Sequence, residues 1–469
     1  MKYLGIPISY KHLNMSAFSP MTQKMVKRLD PWKGKLMTSG GRQILTNSCL
    51  SSIPLYCMGF YLLKDGVHKK MDSIRAKFLW QGADEKFKYH MAKFEMVCRP
   101  KDQWGLGIIN TKIMNECLLV KWIWKIYQQP DELWFKILKA KYLRDNNFFD
   151  SKSAGGSQFW KGLHNIKHLF KWGAVFKVGD GKLCRFWEDC WLQGAPLKLV
   201  YNDLYNLIRD PFCHVADCWD EGSWGLDFKR CLSIQQYDRW LGLLNLLNDC
   251  ALTDNRADKV LWALEKKNHF TTKSLYHFLT DRGVKSRVAG FIWKSRVPLK
   301  IMFFLWQLLN DKLQVAVNLA KKGWKGSLIC CLCGCTETAD HIFFKCHLAK
   351  LIWEMLKEVF HLDSYPKSWE DFCDTWLRGK GPFPIRLIIF IFSGFAWALW
   401  TARNKMAINK AFPRAPTDII YIALSLLQKW SAKLKEKDHE QIIKMKATVT
   451  SWIKDFKPSS INPSEIVEI

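Results

Sequence analysis

Along the first 150 residues apolar positions recur every three to four residues, a spacing that predicts helices. Met21 to Arg28 forms one such segment and carries Lys24, Lys27 and Arg28. A Gly40-Gly41 turn leads into a second, in which Ile44, Leu45, Cys49 and Ile53 fall on one stripe, and Pro54 kinks or ends it. Val67 to Trp80 repeats the pattern, with Val67, Met71, Ile74, Phe78 and Leu79 on one face and Lys69, Lys70, Arg75 and Lys77 largely off it. The pattern changes after residue 150. Ser151 to Ser157 is small, polar and Gly-containing, and reads as a linker. Val175 to Val178 and Leu183 to Trp187, joined through Gly179-Asp180-Gly181, predict a hairpin with Asp-Gly at its turn. A second hairpin is predicted at Lys259–Leu264 and His269–Thr271, followed by a helix through Leu279 capped by Thr271 or Thr272. Residues 366–469 return to helix, and the stretch from Lys457 is expected to fray. Leu387 to Trp400 carries no charge but is shorter than the ~20 apolar residues of a membrane-spanning helix, so a buried helix is expected. The expected fold class is mainly α with short β-hairpins, in several units: 1–150, 151–284, 285–365 and 366–469.

Charge changes this picture more than composition does. Hydrophobic residues at 48% and charged residues at 24% are ordinary for a folded protein. The 71 Lys and Arg against 43 Asp and Glu leave a net charge of +28, which attracts polyanions through its summed field and through counterion release. Basic residues interleave with aromatic ones, including 24 tryptophans, so RNA or DNA bound with little sequence preference is the expected partner, ahead of an acidic membrane surface. Between residues 21 and 42, Lys24, Lys27, Arg28, Lys33, Lys35 and Arg42 face one acidic residue, Asp30, and form the candidate phosphate-facing surface. For any one of these lysines a solvated helix face is the plainer reading.

The 16 cysteines are scattered, and Met1 to Gly5 lacks an apolar run, so reduced thiols in an intracellular, nuclear or cytoplasmic protein are expected. One group has ligand spacing: Cys330-x2-Cys333-x7-His341-x4-Cys346. Two cysteines two residues apart can wrap a tight turn, Gly334 helps the backbone fold back, and His341 with Cys346 can close a tetrahedron. Three thiolates and one imidazole suit Zn2+, and four protein ligands leave no open position, so the expected ion is structural. Cys331, Cys335 and His347 lie within sequence reach as surplus donors. Glu337 and Asp340 flank the cluster; they are expected to face solvent, with an orienting role toward the metal ligands as the sharper alternative.

No catalytic constellation stands beside it. Nucleotidyl transfer needs paired carboxylates holding two divalent metals, and the chain contains no Asp-Asp pair. No phosphate-cradling P-loop and no nucleophile elbow occurs, and Gly179-Asp180-Gly181 is too short to be one. The helical region after 365 offers no spaced set of four acidic residues of ribonuclease H type. His68, His90 and His269 are isolated. The expectation is a protein without enzymatic activity.

From about residue 3 to residue 410 the chain resembles the downstream half of the polyprotein of plant non-LTR (LINE-type) retrotransposons. Tyr3 to Pro7 resembles the segment after the polymerase palm. Trp32-Lys33, Gly41-Arg42, Ile53-Pro54 and Tyr56 resemble thumb-like helices, continued by Phe78-Leu79-Trp80, Gly105 to Ile108 and Lys121-Trp122. Val178 to Gly181, Phe186 to Asp189 and Trp191 match a further block. The cluster is similar to the reverse transcriptase zinc-binding domain, with its lead-in at Ile292 to Lys294, Pro298, Lys300 and Phe304 to Trp306, its ligands at Cys330, Cys333, His341 and Cys346, then Trp353, and a later landmark at Trp400, Arg403 and Asn404. Two departures stand out. The palm with its catalytic aspartates and the ribonuclease H-like domain lie outside the matched region, and Trp104 stands where the family has the first glycine of Gly-Gly-Leu-Gly. The resemblance implies a non-catalytic, zinc- and nucleic-acid-binding fragment. A zinc-stapled protein-interaction scaffold, drawing on Trp293, Trp306 and Trp353, and a decayed element without selected function are the alternatives.

Overall fold

The computed structural model describes the chain except residues 1, 4–5, 10–11, 30–36, 82–87, 145, 221, 249, 251, 253–255, 381–382 and 456–469. It is mainly helical, 58% helix and 5% strand, so helix packing sets its cores. Two compact units form, each from three separate stretches: residues 1–23, 53–70 and 110–281, and residues 24–52, 71–109 and 282–469.

In the first unit the helices Thr111–Tyr127, Gln158–Phe170 and Thr272–Thr280 pack around an antiparallel strand pair. Each helix starts on a side-chain acceptor, as its sequence dictates: Asn110, Ser157 and Thr271 accept from the first-turn N–H groups. Trp160, Trp187, Trp262, Phe148 and Phe170 are fully buried there. Asn115 lies inside on the helix Thr111–Tyr127; its amide donates to the carbonyls of Met58 and Tyr61, and its oxygen accepts from Leu63 N–H.

Short antiparallel hairpins are present, at Lys2–Tyr3 with Ile6–Pro7 and at Trp219–Asp220 with Ser223–Trp224, but neither predicted hairpin forms. Ala174–Lys177 pairs instead with Lys259–Trp262, in the register Ala174↔Trp262 to Lys177↔Lys259. The cause lies in Asp258. Its Oδ1 accepts from Gly179 and Gly181 N–H at 2.6 and 2.9 Å, and its Oδ2 from Leu183 and Cys184 N–H at 2.8 and 3.3 Å. The Gly-Asp-Gly loop therefore wraps a carboxylate from 75 residues downstream and delivers Lys259–Trp262 to the first strand. Glycine is required at both places: a Cβ on Gly179 would stand 2.0 Å from the Arg256 carbonyl oxygen, and Gly181 has φ +72°.

In the second unit the helix Ile385–Asn409 is the centre of a large apolar core. Among the described residues it is the one helix long and apolar enough to cross a membrane, and 72% of its most apolar stretch is buried inside the protein. Helix Thr417–Ser431 lies close against it at Gly394, where a Cβ would meet Leu427 at 2.6 Å. Arg386 donates to both carboxylate oxygens of Asp438, at 2.7 and 2.8 Å, and so ties the last helix, Glu436–Asp455, to the first turn of the central one.

Two helical faces in this unit depart from the predicted stripes. In Ser39–Leu45 and its continuation Thr46–Leu50, Ile44 is exposed, and the inward residues are Gly40, Gln43, Thr46 and Leu50. Gln43 and Asn47 donate to the carbonyls of Leu106 and Gly107, and Asn47 accepts from Ile109 N–H. This face reads the backbone of the Gly105-Leu106-Gly107 turn rather than filling a core. Gly40 lets it approach helix Leu299–Leu309, since a Cβ there would stand 2.9 Å from the Leu299 carbonyl carbon. In Asp65–Gln81, Arg75 is fully buried instead of lying on a solvated face. It donates to Ser51 Oγ (2.9 Å) and the Ile109 carbonyl (2.7 Å), pairs with Asp72, and lies over the Phe94 ring at 4.9 Å. A buried cation with this many acceptors is held by hydrogen bonds that no periodicity displays.

Candidate metal centre

Two loop ends build the cysteine cluster. On the first, Cys330 N–H donates to the Cys335 carbonyl (2.8 Å) and Gly334 N–H to the Cys330 carbonyl (3.1 Å), and Gly334 takes φ +70°. The tight turn aims the N–H groups of Leu332 and Cys333 at the Cys330 sulfur. On the second, Thr338 Oγ1 accepts from His341 N–H (3.0 Å), which starts the helical turn His341–Lys345. Cys346 N–H then bonds the His341 carbonyl at 2.7 Å, and Cys346 stands at the head of helix His347–Val359. The Leu348 N–H and the positive end of that helix both favour a thiolate at Cys346.

The Sγ atoms of Cys330, Cys333 and Cys346 and a ring nitrogen of His341 all lie within 4.8 Å of one another. Cys333 Sγ is 3.1 Å from His341 Nε2, and Cys330 Sγ is 4.0 Å from Cys346 Sγ. A tetrahedron of thiolates and imidazole around zinc has edges of roughly 3.5–3.8 Å, so the four atoms fit one ion with small adjustments. Cys346 shares its proton with Cys330: the hydrogen bond between them pulls the Cys330 thiol down, to about 4, and pushes that of Cys346 up. A divalent cation stabilises both thiolates where a shared proton stabilises one. Among the described residues this is the one group of three or more Cys, His, Asp or Glu side chains close enough to hold an ion. Cys331, Cys335 and His347 are exposed and stand outside it.

Glu337 is not solvent-facing. Its side chain is 3% exposed and accepts from Ala316 N–H at 2.9 Å. Arg403 embraces it, with Nε 2.9 Å from Oε2 and a second contact to Oε1. Arg403 in turn lies over the Trp400 ring at 5.3 Å, and Trp400 packs against Phe304. The lead-in helix, the loop between the ligands and the late Trp400–Arg403 landmark thus meet around one buried ion pair. Sequence reasoning marked these motifs separately and missed the pairing; an isolated Glu between two ligand pairs was the available signal. Asp340 accepts from Trp369 N–H (2.9 Å) and anchors the following segment. Trp306 and Trp353 are buried with their indole N–H groups bonded to the Trp104 and Phe343 carbonyls.

Of the candidate phosphate contacts, Lys24, Lys27 and Arg28 lie exposed on helix Ser19–Leu29. Arg42 is half-buried and its Nε donates to the Leu79 carbonyl at 3.0 Å. Lys33 and Lys35 lie outside the described residues.

Residues 270–353 match the family model described as zinc-binding in reverse transcriptase, which spans the cluster and its lead-in helices. The chain is 29% identical over 360 residues to a "Putative ribonuclease H protein" of Arabidopsis thaliana, covering 74% of this chain and 57% of that one. It is 27% identical over 144 residues to an "Uncharacterized mitochondrial protein" of the same plant, covering 30% of this chain and 94% of that one. The chain thus spans a little over half the length of the first relative. The family match and the Cys3His group fall on the same stretch of chain. These likenesses make the chain similar to plant retrotransposon-derived, reverse-transcriptase-like proteins.

Proposed function

We propose that this chain is a zinc-stapled, non-catalytic nucleic-acid-binding module of a retroelement reverse transcriptase, acting inside the cell. The carrying observation is the closed Cys3His group set in a body of net charge +28. Zinc, when bound, supplies folding free energy rather than a reactive water, because four protein donors fill its coordination sphere. The chain's own part is to anchor the segment between the two ligand pairs, through Glu337, to Ala316 and Arg403 and to present lysine and arginine to a polyanion. The absence of any Asp-Asp pair in the sequence supports the non-catalytic reading.

The test is paired. Purified protein should contain one zinc per chain, and its affinity for RNA and DNA oligonucleotides of unrelated sequence should fall steeply between about 50 and 200 mM salt. Affinity that stays flat with salt refutes nucleic-acid binding. Primer extension or RNA cleavage by the pure chain refutes the non-catalytic reading.

A further inference from the structure

The second unit contains a cavity of about 510 Å³, within the range of small-molecule sites. Its walls combine three tryptophans, Trp80, Trp324 and Trp400, with three cations, Arg42, Lys88 and Arg403. Among the described residues that line it none is acidic, and Glu337 reaches Arg403 without lining the cavity. Trp80 is 7% exposed and contributes to the lining chiefly as apolar ring surface. The polar side chains Gln307, Gln314 and Asn404 complete the lining.

We propose that this cavity seats one flipped-out nucleotide of a single-stranded polynucleotide. Aromatic walls offer a face on which any base can stack, and the cations suit the flanking phosphates. A duplex, whose bases are already stacked and paired, has no equivalent group to insert. This rests on the nucleic-acid reading above and goes beyond it by naming the strand state and the seat. It also gives the Glu337–Arg403 pair a second consequence: the metal loop holds a cation on the cavity wall through the residue between its ligands.

The experiment uses the full chain and a 12-nucleotide single strand carrying one 2-aminopurine, in RNA and DNA forms, with the matching duplexes as controls. Bound single strand should show quenched 2-aminopurine fluorescence. Trp324→Ala and Lys88→Glu should each weaken single-strand binding by roughly five- to a hundredfold, the range of losing one stacked base or its phosphate contact, and should change duplex binding by less than about twofold. Trp324→Phe should restore most of the quenching. Zinc content and melting temperature, unchanged from wild type, establish that each variant folds; if Trp324→Ala does not, Lys88→Glu carries the test. Comparing the two polymers identifies which one the seat prefers. Salt-dependent binding with wild-type affinity in Lys88→Glu, and in Trp324→Ala where it folds, overturns the cavity while leaving the module standing. Equal losses on single strand and duplex also overturn it. No binding of any oligonucleotide refutes the module itself.

Discussion

Two loops in this protein gather polar atoms around a single charge, and they differ in where that charge comes from. In the first unit four backbone N–H groups of residues 179–184 converge on the Asp258 carboxylate, so donors and anion both belong to the chain. In the second unit three sulfurs and an imidazole converge with their lone pairs toward one another, and the cation must come from outside. The first centre is complete on folding. The second, on the metal reading proposed above, would be completed by a divalent cation balancing its thiolates. On that reading a chelator would spare the first centre and loosen the second.

The largest effect expected from breaking this contrast is metal removal. Structural zinc contributes on the order of 10 kcal/mol or more in small metal-dependent domains. Cys333→Ser, or a strong chelator applied to the wild type, should abolish zinc binding. Hydrogen exchange should then accelerate across residues 330–356, while the strands Ala174–Lys177 and Lys259–Trp262 stay protected. Exchange that accelerates equally in both places would mean that the two centres do not stand apart.

Asp258→Asn is the reciprocal cut. It leaves the shape of the side chain but turns its amide toward N–H groups that already need an acceptor. Losing charge-assisted hydrogen bonds from a buried acceptor should cost about 3–5 kcal/mol. The expected result is early loss of protection in the 174–184 and 259–262 peptides at unchanged zinc content. Wild-type exchange there would show that the loop is held by its glycines and its packing alone.

A smaller effect should come from His214, which sharpens the self-contained side of the contrast with a pH window. Its Nε2 lies 3.1 Å from Asp150, its Nδ1 3.5 Å from Asp217, and Asn147 and Arg185 complete its surroundings. The hydrogen bond that its ring donates to the Asp150 carboxylate raises the imidazole above its ordinary range against the opposing effect of burial. Stability from this pair is fully present below the ordinary imidazole pKa and is lost as pH rises through the raised folded value. Burial would raise Asp150, but bonds from His214 and Arg185 win and hold it low. Its contribution is therefore present above the ordinary carboxylate range and is lost as pH falls through the lowered folded value. The first unit should be firmest between about pH 4 and 6.5. His214→Gln should remove the decline above that window, a change of about 1 kcal/mol or less, in urea melts followed at several pH values.

The same contrast explains what was legible in the sequence. The Cys330, Cys333, His341 and Cys346 group reads directly, because four soft donors close together along the chain form a pattern that survives in one dimension. Helix starts read well too, as at Thr271, because a cap acts over three residues. Centres made from distant parts do not read. Asp258 sits far from the loop it organises, and the predicted hairpin took Asp180-Gly181 as its turn because nothing nearby shows the competing acceptor. Arg403 and Glu337 are 66 residues apart. Helical spacing sets Arg75 largely off the apolar face and Ile44 on an apolar stripe, whereas Arg75 is buried and Ile44 exposed. In both cases tertiary hydrogen bonds, through Ile109, Gln43 and Asn47, overrode the local pattern.

Trp104 gives the smallest effect and tests the glycine logic that both loops share. Gly181 and Gly334 take positive φ where their loops close. Trp104 does the same at φ +69°, at the position where the resembling family has glycine. A bulky side chain in the left-handed region costs roughly 1–2 kcal/mol relative to glycine. The turn keeps its form because its bonds run through backbone: Trp104 accepts from the Trp306 indole N–H at 2.9 Å, Gly107 N–H bonds the Arg99 carbonyl at 2.9 Å, and a Cβ on Gly105 would lie 1.9 Å from that carbonyl oxygen. Trp104→Gly keeps all of these. It relieves the strain, gives up the indole's partial burial, and frees the unfolded chain by about 0.5–1 kcal/mol. The expected balance is a gain of a few tenths to about 1 kcal/mol, read as a higher urea midpoint for the second unit at unchanged m-value and zinc content. A lower midpoint would show that the indole's own contacts outweigh the strain, and that this turn, unlike the two glycine-closed loops, is held by a side chain.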